Sequence, residues 1–347
     1  MAWPTPQFTK GETNRAGKVL ADPLSTTEDL DKAHEVLGNW RACHGYPIDT
    51  FQATLRNKLA KIDKRAIVAQ RLKRTPSIVS KLRRFDTMML ARMQDIGGLR
   101  AVVSNLDQVR LLRDSYNTKR CTHPIIKETD YIANPKKDGY RSLHLVFQYR
   151  SEVAVEYNGL ALELQIRTQL QHAWATAVEI MSTFLNQALK SDKGDLQWLK
   201  FFEVTGAAFA HIEESAKVPG YDTLTKSETF REVMLAESQL KVLDKLKAFR
   251  TVVKHTTKVK SGGYHLIVLN YVNKNVLIWQ FPLKDLKTAV NEYAAAEARA
   301  KQGEPIEAVL VSAGPIDLLR KAYPNYFLDS DDFVKQVESI IRSASNG

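Results

Sequence analysis

Two acidic residues, Asp95 and Glu163, stand where their carboxylates could reach a common point. Asp95 in "RMQDIGGLR" comes just before two glycines and an apolar run typical of a strand, and Glu163 alternates with Gln165 and Arg167 in "ELQIR". If the two strands lie side by side, both carboxylates can hold a hard cation such as Mg²⁺ together with a polyphosphate. Neither spacing requires a metal site, because each acid taken alone also fits a salt bridge or the surface.

Basic side chains near these acids could offset the negative charge of phosphate oxygens. The stretch 61–84 contains nine Lys or Arg residues against one acid, Asp63. Phosphoryl transfer needs positive charge of this kind in the transition state. The candidate phosphate ligands are Arg71, Lys73, Lys81 and Arg100. The same run is also typical of a solvated helix face, so charge alone does not decide between the two readings.

A basic loop is predicted ahead of an apolar strand in "NPKKDGYRSLHLVF", residues 134–147. A proline and a glycine mark 134–139 as a loop, and alternating apolar residues from position 143 predict a strand. Lys136 and Lys137 give the loop its charge. Tyr140 at its end is suited to stack on a nucleic-acid base, although a tyrosine packed against the sheet fits equally well.

Strands and helices alternate through the middle of the chain. Strands are predicted over 98–105, 140–150 and 160–168, and helices over 77–93, 106–118 and 169–185. The pattern predicts a mixed α/β (α+β) fold with a mixed β-sheet flanked by helices. One of the first two residues of the "TTEDL" segment, Thr26 or Thr27, is the expected cap of an earlier helix.

A second, smaller α/β unit is predicted at the C-terminal end. A long helix over 229–253 leads to a hairpin over 264–281, and a strand follows at 306–313. The predicted helices of this part are 283–303, 315–327 and 331–343. We therefore expect N-terminal helices at 1–60, the domain with the candidate chemistry at 61–215, connecting helices at 216–260 and a C-terminal domain at 261–347.

The composition limits the classes of function. The 347 residues carry a formal net charge of +11 with a pI near 9.4, which favours an anionic partner such as a nucleotide or a nucleic acid. No apolar run approaches a membrane span and "MAWPTPQFTK" lacks the layout of a secretory signal, so no membrane association and a cytoplasmic location are expected. Cys43 and Cys121 are the only cysteines, which argues against disulfides and zinc.

Four segments together resemble one protein family. "RLKRTPSIVSK", "RMQDIGGLRAVV", "YIANPKKDGYRSLHLVF" and "LELQIRTQLQHAWA" occur in the order and spacing of the RelA/SpoT-type pyrophosphokinase domain, the alarmone synthetase family. The resemblance implies a nucleotidyltransferase-like synthetase domain. It also implies transfer of pyrophosphate from ATP to a ribose 3′-hydroxyl, with Mg²⁺ as the cofactor.

The resemblance further implies roles for single residues. Arg71 and Arg100 would sandwich the adenine of ATP, and the residues expected to hold its phosphates are Lys73, Ser77 and Lys81. Asp95 would bind Mg²⁺, Glu163 would bind Mg²⁺ or act as the general base, and Tyr140 would stack on the acceptor base. The other residues expected on the acceptor side are Lys136, Lys137, His144, Gln165, Arg167 and His172.

The C-terminal region resembles the fused toxin-antitoxin branch of the family, called CapRel. In that branch the synthetase domain pyrophosphorylates the 3′-terminal CCA of tRNA and stops translation. A C-terminal pseudo-zinc-finger domain without metal ligands keeps it inactive until a phage capsid protein binds. "YPNY" matches the Tyr-x-x-Tyr motif of the branch, which implies that Tyr323 and Tyr326 block the ATP site.

Three functions stay open on the sequence alone. The first is a tRNA 3′-end pyrophosphokinase inhibited in cis, with a phage capsid or other phage protein as its activator. The second is a small alarmone synthetase that makes pppGpp or ppGpp from ATP and GTP or GDP. The third is a non-catalytic RNA-binding or sensing module, which the pair Asp95 and Glu163 argues against. The oligomeric state is not predicted.

Overall fold

The computed structural model describes residues 3–117, 122–188, 195–250, 263–270, 273, 275–282, 285–313 and 330–346. Two compact units divide the chain. Unit 1 comprises Met1–Ala101, Arg110–Glu128 and His144–Gln165, and unit 2 comprises Val102–Val109, Thr129–Leu143 and Ile166–Gly347. The domain boundaries expected from the sequence stay predictions. Among the described helices, none combines the length and the apolar character that crossing a bilayer requires.

Three helices form the N-terminal part of unit 1. They are α1 (Lys10–Ala21), α2 (Thr27–Cys43) and α3 (Gly45–Ile62). Helix α1 begins with a capping box, in which Thr9 and Glu12 each accept the backbone N–H of the other. Thr26 caps α2 by accepting the N–H of Asp29, which confirms the predicted start of that helix. Each of the three helices buries an apolar stripe along one face. The helices therefore form a packed layer of the protein.

A five-stranded sheet carries the candidate site. Its strands are β1 (Ile67–Leu72), β2 (Gly97–Val103), β3 (Ile125–Asp130), β4 (Leu143–Gln148) and β5 (Ala161–Thr168). The order across the sheet is β1-β2-β5-β4-β3. Every second side chain of β5 is buried, at Leu162, Leu164 and Ile166. The intervening residues therefore share the opposite face, which is where the candidate functional residues of this strand lie.

The helices α4 (Thr75–Arg84), α5 (Leu106–Asp114), α6 (Gln169–Ala188) and α7 (Asp195–Ile212) accompany this sheet. The prediction of a mixed α/β fold with a sheet flanked by helices is thereby confirmed. The expected helix over 77–93 was wrong in its second half. The chain is extended at Phe85, where α4 ends, and only one 3₁₀ turn, Leu90–Arg92, follows.

The sequence analysis does not predict strands β1 and β3, and it places the start of β4 too early. Strand β1 lies inside the basic run 61–84, whose composition is also typical of a solvated helix face. Strand β3 has too few apolar residues to show the alternation of a strand. The strand expected over 140–150 begins only at Leu143, because 134–139 and the residues after it belong to the loop.

Unit 2 continues with helices α8 (Lys226–Leu240) and α9 (Val242–Arg250). They correct the single long helix expected over 229–253. Lys241 adopts the left-handed conformation with φ 52° and ψ 46°, which no helix can continue. The Glu237 carboxylate accepts the backbone N–H groups of Val242 and Leu243 at 3.0 and 3.1 Å, so it caps the second helix at the break.

A small three-stranded sheet follows in unit 2. Its strands are β6 (Gly263–Asn270), β7 (Asn275–Phe281) and β8 (Ile306–Ala313), and both β7 and β8 pair antiparallel to the central β6. Helix α10 (Leu286–Lys301) packs Tyr293 and Ala296 against Leu266 and Val268. The predicted hairpin is thereby confirmed. A pseudo-zinc-finger character for this part stays a prediction, and the helix expected over 315–327 lies outside the described residues.

The final described element is helix α11 (Asp331–Ser345). It buries four apolar side chains at helical spacing, namely Phe333, Val334, Val337 and Ile340. Helix α11 packs against α6, α8 and α9. The helix expected over 331–343 is confirmed, and its apolar face belongs to the core of unit 2.

Candidate active site

Asp95 and two predicted phosphate ligands form one cluster in unit 1. Asp95 lies between the 3₁₀ turn and β2, Lys73 follows β1 directly, and Lys81 lies on α4. The Asp95 Oδ2 atom is 2.9 Å from Lys73 Nζ, and Oδ1 is 3.0 Å from Lys81 Nζ. The three side chains keep between 20% and 29% of their surface exposed. The structure brings these three candidate residues together, and their roles as ligands stay predictions.

The charge of Asp95 follows from these contacts. Burial is the largest influence on its pKa and raises it, but the charges and hydrogen bonds of Lys73 and Lys81 together outweigh burial. The pKa of Asp95 therefore lies below its ordinary value of 3.8. At neutral pH the carboxylate is ionised and can exchange its lysine partners for a cation, while the two ammonium groups become available to an anion.

The backbone of Lys73 is held from two sides. Its N–H donates to the Ile96 carbonyl at 2.8 Å, and its own carbonyl accepts the Nε–H of Arg41 at 2.7 Å. Arg41 lies on α2, so the N-terminal helices fix the segment that carries a predicted phosphate ligand. The sequence analysis missed Arg41, because nothing in the pattern links a helical arginine to a carbonyl 32 residues further on.

Glu163 is held by two predicted neighbours, also within unit 1. His144 on β4 places Nδ1 2.9 Å from Glu163 Oε1, and the Gln165 side-chain amide donates to Oε2 at 2.9 Å. Burial raises the pKa of Glu163, but the hydrogen bond and charge of His144 and the hydrogen bond of Gln165 outweigh it, and the pKa is lowered. The Asp95 charge works in the opposite direction. Glu163 is thus an ionised carboxylate with fixed orientation.

The donor set of unit 1 fits Mg²⁺. Two ionised carboxylates, Asp95 and Glu163, are close enough for one to act on the pKa of the other, and oxygen is the ligand that Mg²⁺ prefers. Over the described residues, no cluster of three or more His, Cys, Asp or Glu side chains could hold a metal ion. Two carboxylates leave the remaining positions to water and substrate phosphates, which is the usual arrangement for Mg²⁺ at phosphate sites.

The remaining donor-side residues surround the same segment. Arg71 and Arg100 lie on β1 and β2, which are neighbours in the sheet, and both are half-buried. Ser77 lies in the first turn of α4, where unpaired backbone N–H groups favour an anion. The adenine sandwich and the phosphate contacts expected for these three residues stay predictions.

Tyr140 lies among cations in unit 2. Its hydroxyl oxygen accepts the Nη2–H of Arg167 at 2.7 Å, and the guanidinium carbon of Arg167 is 5.1 Å from its ring centroid. Lys136 Nζ is 5.0 Å from the same ring centroid and 4.6 Å from that of Tyr131. The ring is half-buried, so one part packs and another part is accessible. Tyr131 was not predicted, and Lys137 is exposed on the same turn.

The loop itself has the conformation expected from its sequence. Gly139 has φ +90°, a value that favours glycine, and its N–H donates to the Lys136 carbonyl at 3.0 Å. The Asp138 carboxylate accepts the Tyr140 N–H at 2.9 Å. The turn is therefore closed by its own backbone and presents Lys136 and Tyr140 together.

A buried polar network adjoins Tyr140 and was not predicted. Arg141 Nη1 lies 2.5 Å from Glu213 Oε2, and the exposed fractions of the two side chains are 2% and 9%. The same carboxylate accepts the Thr168 hydroxyl and, at 3.1 Å, the Gln171 amide. His172 follows in the first turn of α6 and is buried, so it faces the protein interior rather than open solvent. Tyr323 and Tyr326 lie outside the described residues.

Comparisons with known proteins bear on this site. Residues 70–184 match the family described as "Region found in RelA / SpoT proteins". "GTP pyrophosphokinase YjbM" of Bacillus subtilis is 33% identical over 111 residues, 31% of this chain and 52% of that protein. "GTP pyrophosphokinase YwaC" of the same organism is 33% identical over 116 residues, 30% of this chain and 52% of that protein. The chain thus spans about half the length of these curated relatives.

Further similarities are weaker. "Uncharacterized protein Rv1366" of Mycobacterium tuberculosis is 27% identical over 193 residues, 54% of this chain and 64% of that protein. The crystal structure of small alarmone synthetase 1 from Bacillus subtilis bound to its product pppGpp has a TM-score of 0.42 and 24% identity, with 49% of this chain and 89% of that chain covered. Residues 70–184 therefore carry a region found in RelA and SpoT proteins, and the chain is similar over about 110 residues to two GTP pyrophosphokinases. Membership of the CapRel branch stays a prediction.

Proposed function

We propose that the protein is an ATP-dependent pyrophosphokinase that transfers the terminal pyrophosphate of ATP to a ribose 3′-hydroxyl. One observation carries the proposal: Asp95 sits between Lys73 and Lys81 at 2.9 and 3.0 Å, within the region that matches RelA/SpoT proteins. A carboxylate for a cation and two ammonium groups for phosphate oxygens are what a metal-bound triphosphate requires.

Each group of residues has a defined role in this proposal. Lys73, Lys81 and Ser77 bind the phosphates of ATP, and Arg71 and Arg100 bind its adenine. Asp95 and Glu163 hold Mg²⁺, which when bound neutralises phosphate charge in the transition state. Arg41 keeps Lys73 in place through the contact with its backbone carbonyl.

The proposed reaction is an in-line displacement at phosphorus. The 3′-oxygen of the acceptor attacks the β-phosphorus of ATP, a new O–P bond forms, and the bond from the β-phosphorus to the oxygen of AMP breaks. The proton of the hydroxyl passes to Glu163, whose two oxygens are oriented by His144 and Gln165. AMP leaves, and the acceptor retains the pyrophosphate.

A guanosine nucleotide is the acceptor that the relatives favour. YjbM and YwaC are both named GTP pyrophosphokinase, and the region 70–184 that matches RelA/SpoT proteins includes Tyr140 and Glu163. In this version Tyr140 stacks on guanine, Arg167 and Lys136 surround the ring, and the products are pppGpp or ppGpp. The protein would then be an alarmone synthetase with an additional C-terminal part.

The 3′ end of tRNA is the second acceptor that we propose to test. The specific observation is the exposure of Lys136 and Lys137 next to Tyr140, because an RNA backbone brings phosphates that surface lysines can contact. In this version the protein is a toxin that blocks translation as part of an antiviral toxin-antitoxin protein. Its C-terminal domain keeps it inactive through Tyr323 and Tyr326 until a phage capsid or other phage protein binds.

One experiment separates these versions. The full-length protein is incubated with γ-³²P-labelled ATP and Mg²⁺, with GDP plus GTP in one reaction and bulk tRNA in another. Label in guanosine nucleotides supports the alarmone synthetase, and label in tRNA supports the toxin. Label in neither acceptor, also after Tyr323→Ala and Tyr326→Ala are combined to release inhibition, would overturn the pyrophosphokinase proposal.

A further inference from the structure

Helix α7 contacts both residues that flank Tyr140. On one side the backbone of Gly139 lies against Gly206, where an added Cβ on Gly206 would approach Gly139 Cα to 2.7 Å. On the other side Arg141 pairs with Glu213, which directly follows the last residue of α7. The backbone position of Tyr140 is therefore determined by α7 on either side.

Glu213 also holds the residue next to Arg167, and Arg167 is the cation that contacts Tyr140. Glu213 accepts the hydroxyl of Thr168, the neighbour of Arg167, while Arg167 donates to the Tyr140 hydroxyl oxygen. One buried carboxylate thus holds the residues adjacent to both Tyr140 and Arg167. Because both charges of the Arg141–Glu213 pair are almost fully buried, either partner left alone would have to move toward water or be neutralised.

The last helix of the chain packs against the same part of α7. Phe333 of α11 is fully buried, and its ring centroid lies 5.8 Å from that of Phe202 and 5.8 Å from that of Phe209. The carbonyl of Phe202 accepts the indole N–H of Trp174 at 2.9 Å, and the Trp174 ring lies 6.3 Å from the Tyr140 ring. A continuous series of packed groups connects Phe333 to Tyr140.

We propose that α11 is required to position the loop 134–140, which ends with Tyr140 and is the proposed acceptor loop. Phe333 and Glu213 are the positioning residues, and they act through α7. That this loop binds the acceptor rests on the proposed function, whereas the positioning of the loop by α11 does not. The proposal goes beyond inhibition in cis, because it makes the end of the C-terminal region necessary for activity. A chain cut before α11 would expose Phe202 and Phe209 and lose acceptor binding.

The test uses full-length variants with matched controls. Phe333→Ala and Phe333→Leu are compared with Gln336→Ala at an exposed position of the same helix, and Glu213→Gln is compared with Glu214→Gln at the exposed neighbouring acid. Hydrogen exchange is measured at residues 136–142 and, as an internal reference, at residues 97–101. We expect exchange at 136–142 to be about tenfold faster than in the wild type in Phe333→Ala and Glu213→Gln. In Phe333→Leu the increase should be smaller. Exchange at 97–101 should not change in any variant.

Kinetics supply a second readout. With ATP as donor and GDP or bulk tRNA as acceptor, KM for the acceptor should rise about tenfold in Phe333→Ala and Glu213→Gln while KM for ATP changes less than about twofold. Phe333→Leu should recover most of the acceptor affinity. A general loss of structure would instead raise both KM values and speed exchange at 97–101.

The possible outcomes are distinguishable. Wild-type exchange at 136–142 in Glu213→Gln, or in a folded Phe333→Ala, would overturn the positioning role. Faster exchange at 136–142 in a protein that labels no acceptor would leave the positioning role intact and remove the proposed function. If Phe333→Ala fails to fold, Phe333→Leu and Glu213→Gln decide the question.

Discussion

Arg41 donates its Nε–H to the backbone carbonyl of Lys73 at 2.7 Å, although 32 residues separate the two. The contact connects helix α2 to the segment between β1 and α4 that carries the predicted phosphate ligand Lys73. It gives the N-terminal helices a role in holding the donor site in addition to covering the sheet.

Replacement of Arg41 should weaken the binding of ATP. Without the guanidinium the Lys73 carbonyl loses a charge-assisted hydrogen bond, and the segment can move by enough to misplace the ammonium group. We expect Arg41→Ala to raise KM for ATP by about tenfold and to leave KM for the acceptor within about twofold. Arg56→Ala, at an exposed position of α3, is the control. A parallel increase of both KM values would argue against this role.

Replacement of Asp95 should abolish transfer without unfolding the protein. Asp95→Asn removes the charge that faces Lys73 and Lys81, so the proposed cation loses a ligand and the two lysines lose their counter-ion. We expect kcat to fall at least about 100-fold. Asp86→Asn, at an exposed acid nearby, should retain full activity. The rate of AMP formation, measured with saturating ATP and acceptor, tests the prediction, and an Asp95→Asn rate close to wild type would contradict it.

Tyr140 separates stacking from hydrogen bonding. Tyr140→Phe keeps the ring and loses only the hydrogen bond with Arg167, whereas Tyr140→Ala loses both. Stacking of a base on an aromatic ring is worth about 1 to 3 kcal/mol, so Ala should raise KM for the acceptor about 10- to 100-fold and Phe by a much smaller factor. Steady-state kinetics with varied acceptor measure both. Equal effects of Phe and Ala would assign the role to the hydroxyl and its hydrogen bond with Arg167, and would contradict stacking.

His44 should make the protein less stable in acid. It is fully buried between α2 and α3, its Nδ1 is 2.8 Å from the Trp40 carbonyl, and burial lowers its pKa from 6.5 to about 4. Between these values the unfolded chain binds a proton that the folded chain does not, so the free energy of unfolding falls as pH falls. The shift corresponds to about 3 kcal/mol between pH 6.5 and pH 4.

Urea unfolding at pH 7.5, 6.5, 5.5 and 4.5 checks this expectation. His44→Gln keeps a hydrogen-bond donor but cannot titrate, so the difference in stability between it and the wild type should shrink as the pH falls. A difference that stays constant over this range would show that His44 does not titrate differently on folding. Circular dichroism at pH 7.5 establishes that the variant is folded before the series begins.

The sequence was informative where a short segment decides the structure. Strands β2 and β5 follow from apolar alternation, and the candidates Lys73, Lys81 and Asp95, which the sequence also named, lie together in the structure. Where a contact joins residues that are far apart in the sequence, no local sequence pattern predicts it. Arg41 with Lys73 and Arg141 with Glu213 are 32 and 72 residues apart, and neither pair leaves a local trace.

The errors in secondary structure have local physical causes. The helix expected over 229–253 has suitable residues throughout, and only the left-handed backbone of Lys241 with the Glu237 cap reveals two helices. Strand β1 was missed because its arginine and glutamine obscure the apolar alternation in a basic stretch.

The glycine at position 206 brings two demands on the protein into conflict. Within a helix such as α7, glycine is less favourable than alanine by about 1 kcal/mol. A methyl group at this position would strengthen the isolated helix, but it would also collide with Gly139 and push the loop away. A substitution chosen from helix statistics to raise thermal stability would therefore displace the loop that carries Tyr140, so the residue that is best for α7 alone is not the best one for the loop.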